Sequence, residues 1–308
     1  MAAHRRKALD DAGWCMLPGS LVGERGMLRL REPAWSDRQE LAERLRQGDY
    51  RKPFVVEDGE RRSLHFGLDF VQSEMSLGDP AGLCLRYTQA MMAFLLFLPK
   101  PRHIVLVGLG GGSLVKFCRS VLPQVRLTAI EIDRDVLDFA ELFDLPPPDA
   151  RLRLLHADAA DYFAGEGAPA DVILLDGCDA GGSAPAFNNE PFYRKLRSHL
   201  RPQGLAVMNV TGPPSRVKSH LGLIGQAFDE RVLTIDVSDC RNRIALGWNG
   251  DMQFEWKALA QRADELAVSY GLDFPEFARL LQRAARKRGL RAAVRGAAAP
   301  FRNQRERT

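Results

Sequence analysis

The 308-residue chain is 45% hydrophobic and 27% charged, ordinary values for a soluble globular protein with room for one large domain and smaller appendages. Its longest apolar run, MMAFLLFL at 91–98, falls well short of the roughly 20 residues a membrane helix needs, so no membrane partner is expected. The formal net charge of +4 hides an asymmetry: residues 279–308 carry ten Lys and Arg against the single acid Glu306, so the remainder is net negative.

The N-terminal MAAHRRKALDDAG has basic residues but no apolar stretch behind them, so no secretory signal is read there and a cytoplasmic protein is expected. Five scattered cysteines without a C-x-x-C, and six histidines without ligand spacing to them, suggest neither a disulfide framework nor a metal site. Within residues 1–100 a loose polar stretch leads into short strand-like runs. KPFVVEDGERRSLHF reads as a β-hairpin turning at Glu57-Asp58-Gly59, because D-G between β-branched and aromatic residues favours a tight turn. LCLRYTQAMMAFLLFL at 83–98 then has the length and spacing of a helix packed on a core.

From residue 101 strands and helices alternate. Strands are expected at 103–107, 126–132, 151–157, 171–176, 204–210 and 231–237, and helices at 113–122, 135–143, about 190–200 and 216–228. Such alternation implies a mostly parallel sheet covered on both faces. Asn189-Glu190-Pro191 reads as a helix start, with Asn189 as cap. Residues 251–308 read as increasingly Arg- and Ala-rich helices; the basic tail is expected to be solvated, with nucleic acid as its other possible partner.

The acids carry the functional signal. In open α/β sheets ligands bind beyond the carboxyl ends of the strands. The first of these strands ends in Gly108-Leu109-Gly110-Gly111-Gly112, where glycines let backbone approach a ligand and the next helix offers unpaired N–H groups. Glu131, Asp158 and Asp176 follow the next three strands, delivering carboxylates to one edge. Position 113 is Ser, so the loop fits the G-x-G-x-G of adenosylmethionine binders better than a dinucleotide fingerprint. Glu131 suits ribose hydroxyls and Asp158 an adenine amino group. Structural readings stand beside these: Asp176 as a turn cap, Tyr87, Met75, Met91 and Met92 as core, His156 as a packed side chain, and Cys178 as a small loop residue rather than a nucleophile, since neighbouring acids suppress its thiolate.

GLGGGSL, AIEID, HADAADYF and DVILLDGCDAGGSAP, with FVVEDGERRSLHFGLDFVQSEMSL and LRYTQAMM upstream, resemble the spermidine synthase (polyamine aminopropyltransferase) family over roughly residues 53–247. The resemblance implies a Rossmann-like, class I methyltransferase-type α/β fold in three parts: a β-rich region and lead-in helix at 1–100, a nucleotide-binding catalytic domain at 101–250 and a helical, Arg-rich extension at 251–308. It implies a homodimer that moves an aminopropyl group from decarboxylated S-adenosylmethionine to an amine such as putrescine, with no prosthetic group. Gln72, Gly108, Gly110, Gly112, Glu131 and Asp158 would bind the donor. Tyr87 would line the reaction centre, and Asp176, with Asp179 nearby, would orient and deprotonate the amine. The chain departs from the family pattern at Gly111, where an acid is usual, at Tyr87-Thr88-Gln89, at Asp176-Gly177-Cys178-Asp179-Ala180, and in TGPPSRVKSHLG, which lacks an acceptor-side aromatic. A methyltransferase using ordinary S-adenosylmethionine and a non-catalytic nucleotide-binding protein are the alternatives.

Overall fold

The computed structural model describes residues 13–179, 182–237 and 242–297. Two large sheets organise them. The first is an antiparallel meander, β1 (Cys15–Pro18), β2 (Met27–Leu30), β3 (Phe54–Glu57), β4 (Arg61–His65) and β5 (Val71–Ser76), paired in chain order. The expected hairpin is its β3–β4 unit. Gly59 takes a left-handed φ of 94°, and the Asp58 carboxylate accepts from the Glu60 and Arg61 amides at 3.0 and 2.8 Å. Those backbone donors hold its carboxyl below the usual range.

The region is more than a hairpin, because β1 and β2 are four-residue strands too short to register as periodic. A helix the sequence reading passed over, α1 (Arg38–Gln47), starts on the Asp37 side chain and stops at left-handed Gly48. Its Leu41, Ala42 and Leu45 pack with Leu17, Leu28 and Phe54 of the sheet. The helix expected over 83–98 divides into α2 (Arg86–Met91) and a tighter 3-10 stretch at Met92–Leu96. Residues 91–96 are all buried, so close packing rather than helical repeat sets their path.

The second sheet contains β6 (His103–Val107), β7 (Arg126–Glu131), β8 (Leu152–His156), β9 (Ala170–Leu175), β12 (Leu200–Val210), β13 (Val232–Asp236) and β14 (Arg243–Trp248). Its order is β13-β14-β12-β9-β6-β7-β8. The neighbours from β12 to β8 pair in parallel, and β14 is antiparallel to both β12 and β13. A two-residue ladder, β10 (Cys178–Asp179) with β11 (Gly182–Ser183), follows β9. Central strands feed both faces by simple alternation. Ile104, Leu106, Val172 and Leu174 join one core, which extends to Val55, Leu64 and Met75 of the first sheet. Val105, Val107, Ile173 and Leu175 join the other.

Helices cover these faces: α3 (Ser113–Val121), α4 (Arg134–Asp138), α5 (Ala159–Ala164), α6 (Glu190–Ser198), α7 (Pro214–Ala227), α8 (Trp256–Tyr270) and α9 (Phe274–Ala297). The helix expected at 135–143 ends at Asp138. Beyond it Phe139, Phe143 and Leu145 fold inward as buried turns, with Asp144 at φ 52°. β14 was not foreseen. His156 is a further correction: it is exposed, with Nε2 3.1 Å from the Ile132 carbonyl oxygen. Asn189 caps α6, accepting from the Phe192 amide at 2.9 Å, and Met75, Met91 and Met92 are core residues. At the C-terminus α9 docks through Phe274, Phe277 and Leu281, and the Arg288 guanidinium lies 5.4 Å from the Trp248 ring centroid. The tail beyond Ala297 lies outside the described residues, and among those described no helix is long and apolar enough to cross a membrane.

Candidate active site

A cavity of about 1000 Å³ opens at the carboxyl edge of β6, β7, β8 and β9, roofed by the first sheet. Gly108, Gly110, Glu131, Asp158, Asp176, Gln72 and Tyr87 all line it, so the three acids read from successive strands do converge. Gly112 does not reach the cavity. It has φ 69°, begins α3, and a Cβ there would come within 2.4 Å of Leu145 Cδ1. Asp179 is described through its backbone, paired with Gly182; its side chain and that of Cys178 lie outside the described residues.

The glycine loop is shaped by close approach. Gly108 has φ 86°, and a Cβ would sit 2.3 Å from the Asp176 carbonyl oxygen, so only glycine lets β6 and β9 close here. Gly111, where the family pattern has an acid, faces Phe143 and Ser73; a Cβ would meet them at 2.7 and 2.8 Å. A larger side chain there requires this floor to move.

Glu131 is buried at the end of β7. Its two oxygens accept from the Leu109 and Asp133 amides at 2.8 and 2.9 Å. Each oxygen keeps a further acceptor direction for a hydroxyl pair. Burial raises its proton affinity, against these two amide bonds. Asp158 lines the cavity as expected and also does something the sequence did not suggest. It caps α5, accepting from the Ala160 amide at 2.7 Å, while lining the cavity. Ile132, 63% exposed beside Glu131, offers a flat apolar surface to a base.

Asp176 is the most elaborated acid. Asn209 Nδ2 donates to its Oδ1 at 2.7 Å, and Tyr87 Oη donates to its Oδ2 at 3.2 Å. Asn209, itself buried, accepts through Oδ1 from Asn242 Nδ2 at 2.8 Å. Desolvation pushes the Asp176 pKa up to about 6; the two donors oppose that and the Glu131 charge adds to it. The carboxylate is thereby held in one rotamer and near neutrality in proton affinity, the requirements of a general base.

Sequence reasoning missed Asn209 and Asn242, which lie in or beside strands with no polar motif around them. It also missed the aromatic wall. Phe66, Phe70 and Phe187 line the cavity from the β4–β5 connection and the 3-10 turn at 185–187. Gln89, in the triplet that departs from the family, turns away to donate to the Leu83 carbonyl at 2.8 Å.

A mostly parallel seven-stranded sheet with its last strand inserted antiparallel, a glycine loop after its first strand and an acid after the second define a class I methyltransferase-type fold with an adenosyl-nucleotide site. A similar chain is the polyamine aminopropyltransferase of Chromobacterium violaceum, 35% identical over 230 residues, covering 74% of this chain and 88% of that protein. The chain belongs to the polyamine aminopropyltransferase, or spermidine synthase, family. Solved structures of the same fold include human methyltransferase-like protein 13 in complex with SAH, at 27% identity, TM-score 0.53, and 66% and 93% of the two chains covered. A probable spermidine synthase from Corynebacterium glutamicum matches at 20% identity, TM-score 0.57, and 73% and 90% coverage. No family model matches the chain.

Proposed function

We propose that this protein transfers an aminopropyl group from decarboxylated S-adenosylmethionine to a small amine such as putrescine, and that Asp176 is its general base. The observation that carries the reading is the Tyr87–Asp176–Asn209–Asn242 chain of hydrogen bonds in a cavity that Glu131 and Asp158 also line; family membership supplies the reaction. In this division the 1–100 segment gives the wall with Gln72 and Tyr87, the 101–250 segment gives the nucleotide site, and the 251–308 segment adds helices α8 and α9, whose Leu259, Ala263, Phe274, Phe277 and Leu281 buttress the sheet.

The adenosyl part lies along the Gly108–Gly110 backbone, its ribose hydroxyls on Glu131 and its base between Ile132 and Asp158. The sulfonium makes the adjacent propyl carbon electrophilic. The acceptor nitrogen attacks that carbon, a C–N bond forms as the C–S bond breaks, and methylthioadenosine leaves. The proton lost by the nitrogen passes to the Asp176 carboxylate. Catalysis consists mainly of holding a neutral amine in line with the carbon, with Tyr87 and Asn209 fixing the base. Asp179, the second acid of the D-x-x-D, is assigned to the acceptor's other, cationic amine. A homodimer in the cytoplasm completes the reading.

The test is a product assay with decarboxylated and ordinary S-adenosylmethionine over a panel of amines. Methylthioadenosine formed only with the decarboxylated donor and an amine is the expected result. Adenosylhomocysteine would mark a methyltransferase instead, and neither product would leave a nucleotide-binding protein.

A further inference from the structure

The glycine loop rests on a layer that the reaction scheme does not use, and that layer is pinned by a buried lysine. Lys116, one turn into α3, is only 6% exposed. Its Nζ donates to the Phe143 carbonyl oxygen at 2.7 Å and contacts Met75 Sδ at 2.9 Å, and among the described residues no carboxylate forms a salt bridge with it. The Phe143 ring is the surface against which Gly111 packs, and Leu145, two residues on, is the surface under Gly112. Arg62 of β4 donates to the neighbouring Leu142 carbonyl. Between them the two cations tie β4, β5 and α3 to the turn at 142–145.

A buried ammonium without a hydrogen-bonded acid is costly, and an apolar side chain of similar length would fill the same space at lower cost. Stability alone gives no reason for a lysine at this position. We propose that Lys116 is a positioning residue for donor binding: its ammonium fixes the Phe143 carbonyl, the Phe143 and Leu145 side chains then set the height of Gly111 and Gly112, and the loop in turn presents the Gly108–Gly110 backbone to the adenosyl group. The inference rests on the reading of the cavity as an adenosyl-donor site.

Lys116 faces Asp144 on the turn, Cys84 ahead of α2 and Arg62 on β4; burial draws its pKa down to about 8, with Arg62 adding to the fall and Asp144 and Cys84 opposing it. The charged form therefore prevails at pH 7 and the neutral amine, a weaker donor, above about pH 8.5. Stability runs the other way. With the folded pKa below the unfolded value of 10.5, the unfolded chain binds more protons between about pH 8 and 10.5, so the lysine's contribution to stability improves as pH rises through that window. A residue with only a structural role would move stability alone; a positioning residue moves ligand affinity in the opposite sense.

The experiment is calorimetric titration of wild type, Lys116→Met and Lys116→Arg with methylthioadenosine, a ligand uncharged between pH 7 and 9.5, together with the melting temperature of each. Expected at pH 7 is a loss of affinity on the order of tenfold in Lys116→Met without a lowered melting temperature, the worth of one charge-assisted hydrogen bond, and substantial rescue in Lys116→Arg. Wild-type affinity should fall between pH 7 and 9.5, and that of Lys116→Arg should stay level. Equal affinity of wild type and Lys116→Met overturns the role of Lys116 while leaving the nucleotide site standing. If Lys116→Met does not fold, a level wild-type profile from pH 7 to 9.5 overturns it equally. Failure of wild type to bind at all sinks the functional reading and this inference with it.

Discussion

Asp176 illustrates how little of a site's chemistry resides in one residue. Its carboxylate would be an ordinary acid in water; burial lifts its pKa to about 6, and Asn209 and Tyr87 limit the rise. Asp176→Asn should lower turnover by about 10²–10⁴-fold, the usual contribution of a general base, while nucleotide affinity measured by titration stays near wild type. Because the base works only when ionised, activity should rise with pH through about 6. Asn209→Leu removes a donor to the charged form, so the acid limb of the pH–rate profile should move upward, with a greater loss at pH 6.5 than at pH 8.5. The position of Asp176 was legible from the sequence because a polar residue at the end of an apolar strand has few structural reasons to be there. Asn209 was not, since its side chain becomes meaningful only when β12 and β9 lie side by side and Asn242 arrives from β14.

At the scale of elements, the strands of the second sheet other than β14 were readable because most carry a short apolar run that stops at glycine or an acid, and the alternation of faces follows from the pleat. The elements that escaped were β1, β2, α1 and β14, too brief or too weakly patterned to stand out without partners, and the turns at 139–145, whose apolar residues mimic a helix but serve as the loop's floor. That floor makes a specific demand. Gly108→Ala adds both left-handed strain and contact with the Asp176 carbonyl, and should cost roughly 1–3 kcal/mol or more in denaturant unfolding together with nucleotide binding. Gly110→Ala faces only Ser73 at 3.4 Å and should lose less stability. On α7, His220 is buried, with neither ring nitrogen hydrogen-bonded among the described residues, and desolvation depresses its pKa. Unfolding therefore takes up a proton as pH falls below about 6.5, and stability is lost in that direction. His220→Leu should raise the melting temperature, more at pH 5.5 than at pH 8; an equal change at both values would show that its ionisation plays no part.

Across the whole molecule, the two sheets share one core, so the residues each brings to the cavity are not independent parts. Val55, Leu64 and Met75 of the first sheet pack with Ile104 and Leu106 of the second, and Tyr87 reaches Asp176 at 3.2 Å. The C-terminal extension belongs to the same core through Phe274, Phe277 and Leu281. Truncation before Asp273 should remove these three, expose the core surface they cover and cost about 5 kcal/mol or more by area burial, seen as aggregation or loss of a cooperative melt. A basic tail read from composition alone gave no sign that its first turns are structural.

The central claim is that one rim of the sheet grips an adenosyl sulfonium donor and aims it at Asp176. A crystal structure of the protein soaked with methylthioadenosine tests this most directly. The account predicts the ribose hydroxyls on Glu131, the base against Ile132 and Asp158, and the sulfur directed towards the Tyr87–Asp176 end of the cavity. A nucleoside bound elsewhere, or bound with its sulfur turned away from Asp176, would contradict it.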